Sequence, residues 1–256
     1  FHLGAAINED IIMGRDSQSK NIVTSEFNSI TPENSLKWMY LHPFPNKFNF
    51  GAADKYVELG KKNNMHIVGH ALVWHNQLAD FMKTTVSPDE FTNHVENHIN
   101  TVVSRYKGEI HAWDVVNEAF NEDGSLRPSV FKKQMGDNYI EDVFKLAETA
   151  DPDADLIYND YNLYKPAKLA GVLKMVKRLQ ANGTKINAIG AQAHWRLNSP
   201  SLDEIEQIIL HISELGVEVM FTELDITVLP NPWELVGAEV TQNFSKFEGD
   251  PKMDPY

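Results

Sequence analysis

The sequence predicts an α/β fold, a parallel (β/α)8 TIM barrel, and three observations support this fold class. Short apolar runs alternate strictly with longer amphipathic runs, which is the order of strands and helices around a parallel sheet. The apolar runs are nearly continuous, as expected for strands that are buried on both faces. The first run leads into Asn8-Glu9-Asp10 rather than into a glycine-rich phosphate turn, which favours the barrel over an open, doubly wound sheet.

Seven strands are predicted, each a short apolar run followed by polar or aromatic residues. They cover Leu3–Asn8, Ser29–Thr31, His66–Trp74, Ile110–Asn117, Asp155–Asn159, Ala188–His194 and Val217–Asp225. In a barrel of this kind the carboxyl ends of the strands form the ligand-binding face. The polar residues that follow the strands are therefore the first candidates for a functional site.

Six amphipathic helices are predicted between these strands. They cover Ser17–Glu26, Ala52–Asn63, Pro88–Tyr106, Pro128–Ala150, Pro166–Ala181 and Leu202–Leu215. Ser87 and Ser201 are suitable N-terminal caps, because each is followed three residues later by a glutamate. Gly183 and Gly216 lie just beyond the ends of two helices, where glycine commonly terminates helical structure.

The alternation ends near residue 229, so the chain divides into two predicted parts. Residues 1–229 form the catalytic barrel with strands one to seven, and residues 230–256 form a long loop with at most a short helix around Trp233–Ala238. A closed barrel needs eight strands, and open edges invite aggregation. We expect a barrel that is truncated after the seventh strand, whose seventh helix, eighth strand and eighth helix are disordered, cleaved or held in another chain.

Composition narrows the possible partners. The chain has 256 residues with 23 basic and 36 acidic side chains, a formal charge of −13, which argues against nucleic acid and against an anionic membrane surface. A neutral polymer remains compatible with this charge. We find no apolar stretch long enough for a membrane span.

No cofactor and no metal are expected. The absence of cysteine excludes disulfides, thiolate catalysis and cysteine-ligated metals. His70 and His75 point to opposite faces of a regular strand. Asp151, Asp153 and Asp155 lack the glycine and terminal glutamate of a calcium loop.

Two glutamates, Glu118 and Glu223, each close a short apolar run. A carboxylate at the end of a buried strand is costly unless it has partners or a function. Because that position faces the ligand in a (β/α) barrel, the two side chains are expected to meet over one cleft. A pair of carboxylates across a cleft is the catalytic arrangement typical of glycoside hydrolases.

Neighbouring residues are predicted to assist these carboxylates. His194 can bridge Glu223 and Asp225 if both strands point these side chains into the cleft. Asn117 directly precedes Glu118, so both reach the cleft only if the strand end is irregular. An amide beside the acid would bind a sugar 2-hydroxyl, and we also expect Asn117 and His194 to donate hydrogen bonds to Glu223.

Several aromatic and charged residues allow a simple structural interpretation. Large aromatic residues usually belong to the core. We expect sugar contact for Trp74 and Trp38, a core position for Trp113, and backbone capping by Asp114. Lys37 would be an ordinary solvated charge without its neighbours.

The motifs along the chain resemble family 10 of the glycoside hydrolases, from residue 3 to about residue 227. They are Glu33-Asn34-Ser35-Leu36-Lys37-Trp38, Gly69-His70 with Trp74-His75-Asn76-Gln77, Trp113-Asp114-Val115-Val116-Asn117-Glu118-Ala119, Asn159-Asp160-Tyr161-Asn162, Gln192-Ala193-His194 and Thr222-Glu223-Leu224-Asp225-Ile226. The resemblance implies an endo-β-1,4-xylanase on a (β/α)8 barrel that hydrolyses xylan with retention of anomeric configuration. A β-1,4-glucanase of the same mechanism and a non-catalytic xylan-binding barrel remain as alternatives.

The resemblance also implies a role for each site residue. Glu118 is the general acid/base and Glu223 the nucleophile, supported by His194, Asp225 and Asn117. The substrate-binding residues of the glycone subsites are Glu33, Asn34, Lys37, His70, Trp74, Gln77 and Gln192, and Tyr161 borders the aglycone side.

Partners and location follow from the same resemblance. Xylan or a xylo-oligosaccharide is the expected substrate, and a carbohydrate-binding module can be appended or inserted near residues 80–88. A protein that acts on this polymer is expected to be secreted, periplasmic or at the cell surface. Trp195 stands where a smaller aliphatic residue is usual, and we expect it to add a stacking surface.

Overall fold

The computed structural model describes residues 1–85 and 87–227, which contain a seven-stranded parallel sheet. The strands of this sheet are β1 (Gly4–Ile7), β2 (Ser29–Pro32), β3 (His66–Trp74), β4 (Ala112–Asn117), β5 (Asp155–Asp160), β6 (Ala188–Ala191) and β8 (Glu218–Phe221). Two short strands, β7 (His194–Arg196) and β9 (Asp225–Thr227), form a second sheet. In the sheet the order is β1-β2-β3-β4-β5-β6-β8, so neighbours in the sheet follow one another along the chain, with only β7 passed over between β6 and β8. This is the strand order of a (β/α) barrel, and the predicted fold class is confirmed.

Helices connect successive strands of this sheet. Within the described residues they are α1 (Glu9–Ile12), α2 (Ser17–Glu26), α3 (Trp38–Leu41), α4 (Gly51–Lys62), α5 (Asp80–Thr84), α6 (Pro88–Arg105), α7 (Val130–Met135), α8 (Tyr139–Ala150), α9 (Pro166–Ala181) and α10 (Leu202–Ser213). The predicted single helix at 128–150 is wrong, since Gly136 has a φ of 85° and separates α7 from α8. Helices α1, α3 and α5 are too short to give a periodic pattern, and the sequence did not predict them.

Trp113 and Trp38 both lie in the core. Trp113 is fully buried as predicted, and it packs where a Cβ on Gly69 would come within 2.1 Å of its ring. Trp38 is only 2% exposed, stacks on His98 at a centroid distance of 3.8 Å, and donates its indole N–H to the carbonyl of Leu72. The expected sugar contact of Trp38 is therefore wrong.

The sixth and seventh predicted strands each divide into two pieces. β6 ends at Ala191 and β7 begins at His194, with Ala193 between them at a φ of 62°. β8 ends at Phe221 and β9 begins at Asp225. β7 and β9 pair with each other in parallel, and His194 is opposite Asp225 in their register. This small second sheet brings two predicted site residues together.

Two predictions fall on parts of the chain beyond this description. The loop at 230–256, its helix around Trp233–Ala238 and the absence of an eighth strand lie outside the described residues. The carbohydrate-binding module expected near residues 80–88 is also untested. The structure places α5 at Asp80–Thr84, and Val86 lies outside the described residues. No helix in the described ranges has the length and apolar character needed to cross a bilayer.

Candidate active site

Glu118 and Glu223 follow the carboxyl ends of β4 and β8. Two residues, one near the end of β5 and one just after β6, each contact both glutamates. The carbonyl of Asn159 accepts the backbone N–H of Glu118 at 2.9 Å, while its side-chain amide donates to Glu223 Oε1 at 3.0 Å. Gln192 makes the reverse pair: its carbonyl accepts the N–H of Glu223 at 3.1 Å, and its amide donates to Glu118 Oε1 at 3.1 Å. The two carboxylates are thus fixed relative to each other by residues of the barrel itself.

Glu118 has a left-handed backbone conformation, with a φ of 59°. The pairing of β4 with β5 also shifts register between Asp114 and Val116, so the end of β4 is irregular as expected. Asn117 and Glu118 can therefore both contact Gln192, whose amide also donates to Asn117 Oδ1 at 3.0 Å. The indole N–H of Trp74 donates to Glu118 Oε2 at 2.9 Å, which fixes the other carboxylate oxygen.

Glu223 is held by a histidine and an amide. His194 Nε2 lies 3.1 Å from Glu223 Oε2, and His194 Nδ1 lies 2.8 Å from Asp225 Oδ2. Burial acts to raise the pKa of Glu223, but the hydrogen bond from His194, the positive charges of His70 and His194 and the amide of Asn159 outweigh it and lower the pKa. The hydrogen bond to Glu223 raises the pKa of His194 to about 9, with further help from Asp225. Glu223 is therefore kept ionised beside a cationic imidazole.

The amide that donates to Glu223 is Asn159, and the prediction of Asn117 in that position is wrong. The side chain of Asn117 is engaged instead by Gln192, and its Nδ2 lies 3.5 Å from Glu118 Oε1. Thr222 Oγ1 donates to Asn159 Oδ1 at 2.7 Å and so orients the Asn159 amide. A Cβ on Gly190 would come within 2.4 Å of the same oxygen, so only glycine leaves room for this side chain.

His70 and Asp114 form a buried pair beside these carboxylates. His70 Nδ1 lies 2.7 Å from Asp114 Oδ2, and the two residues are 7% and 1% exposed. Burial acts to lower the pKa of His70, but its hydrogen bond to Asp114 overcomes this and raises the pKa. Burial also raises the pKa of Asp114. The expected role of Asp114 as a backbone cap is wrong, because its partner is an imidazole.

The predicted glycone residues also converge. Lys37 Nζ donates to Asn34 Oδ1 at 3.3 Å and lies 4.9 Å from the centre of the Trp74 ring. Gln77 Nε2 lies 3.5 Å from the same oxygen of Asn34. Burial lowers the pKa of Lys37 although Glu223, Glu118 and Glu33 act to raise it. Lys37 is thus close enough to both carboxylates for their charges to act on it.

Tyr161 lies just beyond β5 and is held by two cations. Arg127 donates to the Tyr161 hydroxyl at 2.9 Å, and Lys168 Nζ lies 3.5 Å from the ring centre. The sequence did not predict Arg127, Lys168 or Asn159 as site residues. Asn159 was visible in the Asn159-Asp160-Tyr161-Asn162 motif, whereas Arg127 lies in an aperiodic loop and Lys168 resembles an ordinary lysine of an amphipathic helix.

Trp195 does not contribute to this site. It follows His194 directly in β7 and therefore lies on the opposite face of that strand. Its ring packs edge-on against Phe221 at a centroid distance of 5.3 Å. The expected extra stacking surface is not formed in the cleft.

Known proteins are similar to this chain in sequence and in fold. The family model for glycosyl hydrolase family 10 matches residues 1–248. Endo-1,4-beta-xylanase A of Xylanibacter ruminicola is 40% identical over 261 residues, covering 100% of this chain and 70% of that protein. Beta-1,4-xylanase of Dictyoglomus thermophilum is 42% identical over 230 residues, covering 89% of this chain and 64% of that protein.

Solved structures agree with these relatives. A GH10 endoxylanase from a sugarcane soil metagenome has a TM-score of 0.91 at 41% identity, covering 100% of this chain and 75% of its own. Xylanase 10B of Thermotoga petrophila, solved with xylobiose, has a TM-score of 0.85 at 38% identity, covering 88% and 70%. An intracellular xylanase of Thermoanaerobacterium saccharolyticum has a TM-score of 0.83 at 34% identity, covering 88% and 74%.

Proposed function

The chain belongs to glycosyl hydrolase family 10, and on that premise we propose that it hydrolyses β-1,4-xylosidic bonds within xylan, as an endo-acting, retaining enzyme. The names of its relatives support xylan as the substrate. The chain spans 70% and 64% of the length of two of these relatives.

The main observation behind this proposal is the pair of carboxylates connected by shared hydrogen-bond partners. Asn159 and Gln192 each contact both Glu118 and Glu223, one through a backbone carbonyl and the other through a side-chain amide. These shared contacts keep the two carboxyl groups near each other, and a double displacement needs a separation of about 5–5.5 Å between them. The different surroundings of the two groups support different roles.

Glu223 is the nucleophile and Glu118 the acid/base. In the first step a Glu223 oxygen attacks the anomeric carbon, and Glu118 donates its proton to the glycosidic oxygen as the bond to the aglycone breaks. In the second step Glu118 takes a proton from water, whose oxygen attacks the same carbon and displaces Glu223. Two inversions at one carbon give net retention.

The polar residues around the carboxylates bind the sugar. Asn117 lies beside Glu118 and supplies a contact for the 2-hydroxyl, which strengthens in the transition state. His194 and Asp225 orient Glu223. The remaining assignments are glycone contacts for Glu33, Asn34, Lys37, His70, Trp74, Gln77 and Gln192, and an aglycone contact for Tyr161.

The protein is proposed to act outside the cytoplasm, at the cell surface, in a periplasm or after secretion. The reason is the size of the polymer, which does not enter a cell before it is cut. One of the similar structures is that of an intracellular xylanase. Fractionation of the native host with an antibody to this chain tests the location, and a signal confined to the cytosol would contradict it.

A reducing-sugar assay on xylan and on carboxymethylcellulose tests the activity. We expect release of oligosaccharides from xylan, little from carboxymethylcellulose, and none from xylan with Glu223→Ala. NMR of early products should show the β-anomer before mutarotation. Preference for carboxymethylcellulose would indicate a glucanase, inactivity on both polymers a non-catalytic barrel, and early α-anomer an inverting enzyme.

A further inference from the structure

A buried ion pair behind Glu118 has no role in the chemistry described above. Lys168, in the first turn of α9, and Asp160, the last residue of β5, are both fully buried, and Lys168 Nζ lies 2.9 Å from Asp160 Oδ1. Lys168 Nζ is also 3.4 Å from Glu122 Oε1. A buried ion pair is seldom more stabilising than an apolar pair of the same volume, and a cation in the first turn of a helix opposes the helix dipole. Stability alone is thus a poor explanation for this lysine.

One route of contacts leads from the ion pair to the backbone beside Glu118. Asp160 Oδ2 accepts the hydroxyl of Tyr158 at 2.5 Å. The oxygen of that hydroxyl accepts the backbone N–H of Ala119 at 3.0 Å. All three of these residues are buried, so water cannot replace the missing partner if one is removed.

A second route leads from Lys168 to the same place. Lys168 Nζ lies 3.5 Å from the centre of the Tyr161 ring. The hydroxyl of Tyr161 accepts from Arg127, and Arg127 Nε donates to the carbonyl of Glu118 at 3.0 Å. The two routes therefore end on the oxygen and on the nitrogen of one peptide group, the one that joins Glu118 to Ala119.

That peptide group determines where the Glu118 carboxylate points. Glu118 has a φ of 59°, a conformation that is costly for a non-glycine residue and persists only where its surroundings impose it. Two hydrogen bonds fix the plane of this peptide group: the Glu118 carbonyl accepts one from Arg127, and the Ala119 N–H donates the other to Tyr158. The N–H of Glu118 itself is bound to Asn159.

We propose that Lys168, paired with Asp160, is a positioning residue that acts through Tyr158, Tyr161 and Arg127 to hold the Glu118–Ala119 peptide and thereby aim the acid/base carboxylate at the glycosidic oxygen. The inference rests on the proposed function, because it assigns Glu118 the protonation of the leaving group. It places the origin of that orientation in a helix residue that has no contact with the carboxylate.

Leaving-group dependence distinguishes this role from simple stabilisation. Lys168→Met removes the charge and keeps most of the volume. A misaimed acid slows cleavage of poor leaving groups, whereas an activated aryl glycoside needs no proton in the first step. We expect kcat/KM on xylotetraose to fall by roughly 10- to 100-fold and on dinitrophenyl β-xylobioside by about 3-fold or less.

Two further variants keep the test decisive. Tyr158→Phe removes only the hydroxyl that joins Asp160 to Ala119, and the double variant Lys168→Met/Asp160→Asn removes the charge that the single variant leaves unpaired. Both should show the same selective loss, and they decide the question if Lys168→Met does not fold. Lys185→Met is the control: this lysine binds the carbonyls of Pro152 and Ala154, before β5, and it should show no selective loss.

The outcomes separate this inference from the proposed function. A wild-type protein inactive on both substrates would contradict the function. An active wild type whose folded Lys168 and Tyr158 variants lose activity equally on both substrates, or lose none, would overturn the positioning role alone.

Discussion

Glu118 and Glu223 are held in two different ways. The backbone at Glu118 is fixed by groups from β5, α9 and the loop that follows β4. Tyr158, Asp160 and Lys168 are fully buried, whereas Arg127 and Tyr161 are only partly buried. Glu223 is held by the buried amide of Asn159 and by His194, which also pairs with Asp225. The side chains of His194 and Asp225 are 43% and 58% exposed among the described residues. The first carboxylate is thus oriented largely through its backbone, and the second largely through hydrogen bonds to its own oxygens from an imidazole and an amide. Changes in the groups around the Glu118–Ala119 peptide should affect mainly proton transfer, and loss of the His194 charge should affect mainly the nucleophile.

The largest effect is expected from removal of the carboxylates themselves. Glu223→Ala should lower kcat by about four orders of magnitude or more on every substrate, because no glycosyl-enzyme can form. Glu118→Ala should leave the first step largely intact on dinitrophenyl β-xylobioside, because the dinitrophenolate leaving group departs without protonation. Single-turnover measurements of released dinitrophenolate test the difference.

Glu218→Ala is the matched control for both variants. Glu218 is exposed at the start of β8, at the other end of the strand that leads to Glu223. It should retain wild-type rates. Equal losses for Glu118→Ala and Glu223→Ala on the activated substrate would show that the two roles are wrongly assigned.

His194→Gln should weaken the nucleophile side selectively. The hydrogen bond and the charge of His194 lower the pKa of Glu223, so their loss should raise that pKa. Because the nucleophile must be ionised, the acidic limb of kcat/KM should move to higher pH, and kcat should fall by roughly 10- to 100-fold as the carboxylate loses its orientation. A pH profile on dinitrophenyl β-xylobioside isolates this effect from the acid. An acidic limb that stays in place would contradict the role of His194.

Gly190→Ala should displace the side chain of Asn159, which connects the two carboxylates. The new methyl group would meet Asn159 Oδ1 at 2.4 Å, and the displaced amide would lose its contact with Glu223. We expect a loss of roughly 1–3 kcal/mol in the free energy of unfolding, and a lower kcat on activated and unactivated substrates alike. Gly51→Ala, where nothing lies within 4 Å of the added Cβ, is the control and should be close to neutral. Unchanged kcat in a folded Gly190→Ala protein would show that Asn159 is not needed.

The regular elements were predictable because their signals are local. The predicted bounds of β3, α2 and α9 match the structure, since each has an uninterrupted apolar pattern or clear end signals. The division between β6 and β7 was missed because it depends on Ala193, a residue type that rarely has a positive φ. The local irregularity at Glu118 was predicted, because Asn117 and Glu118 could not otherwise share a cleft.

The contacts between distant strands were only partly predictable. The bridge from His194 to Asp225 and Glu223 follows from strand alternation and lies where expected. The choice of Asn159 rather than Asn117 as the amide partner of Glu223 depends on the space above Gly190 and on the hydroxyl of Thr222. Lys168 and Arg127 reach the site through side chains whose sequence neighbours give no hint of burial. Such three-dimensional constraints have no periodic signature in one sequence.

The smallest expected effect concerns stability on the nucleophile side. The folded pKa of His194, about 9, lies above its ordinary value of 6.5, so the protonated imidazole stabilises the folded state. That contribution should be fully present below about pH 6.5 and should disappear as the pH rises through about 9. Because the side chain is 43% exposed, solvent screening should limit it to about 1 kcal/mol or less. Urea unfolding of the wild type and of His194→Gln between these pH values measures it: the difference between the two proteins should shrink with rising pH. If the difference in unfolding free energy between the two proteins stays constant across this pH range, the charge of His194 does not stabilise the Glu223 side of the site.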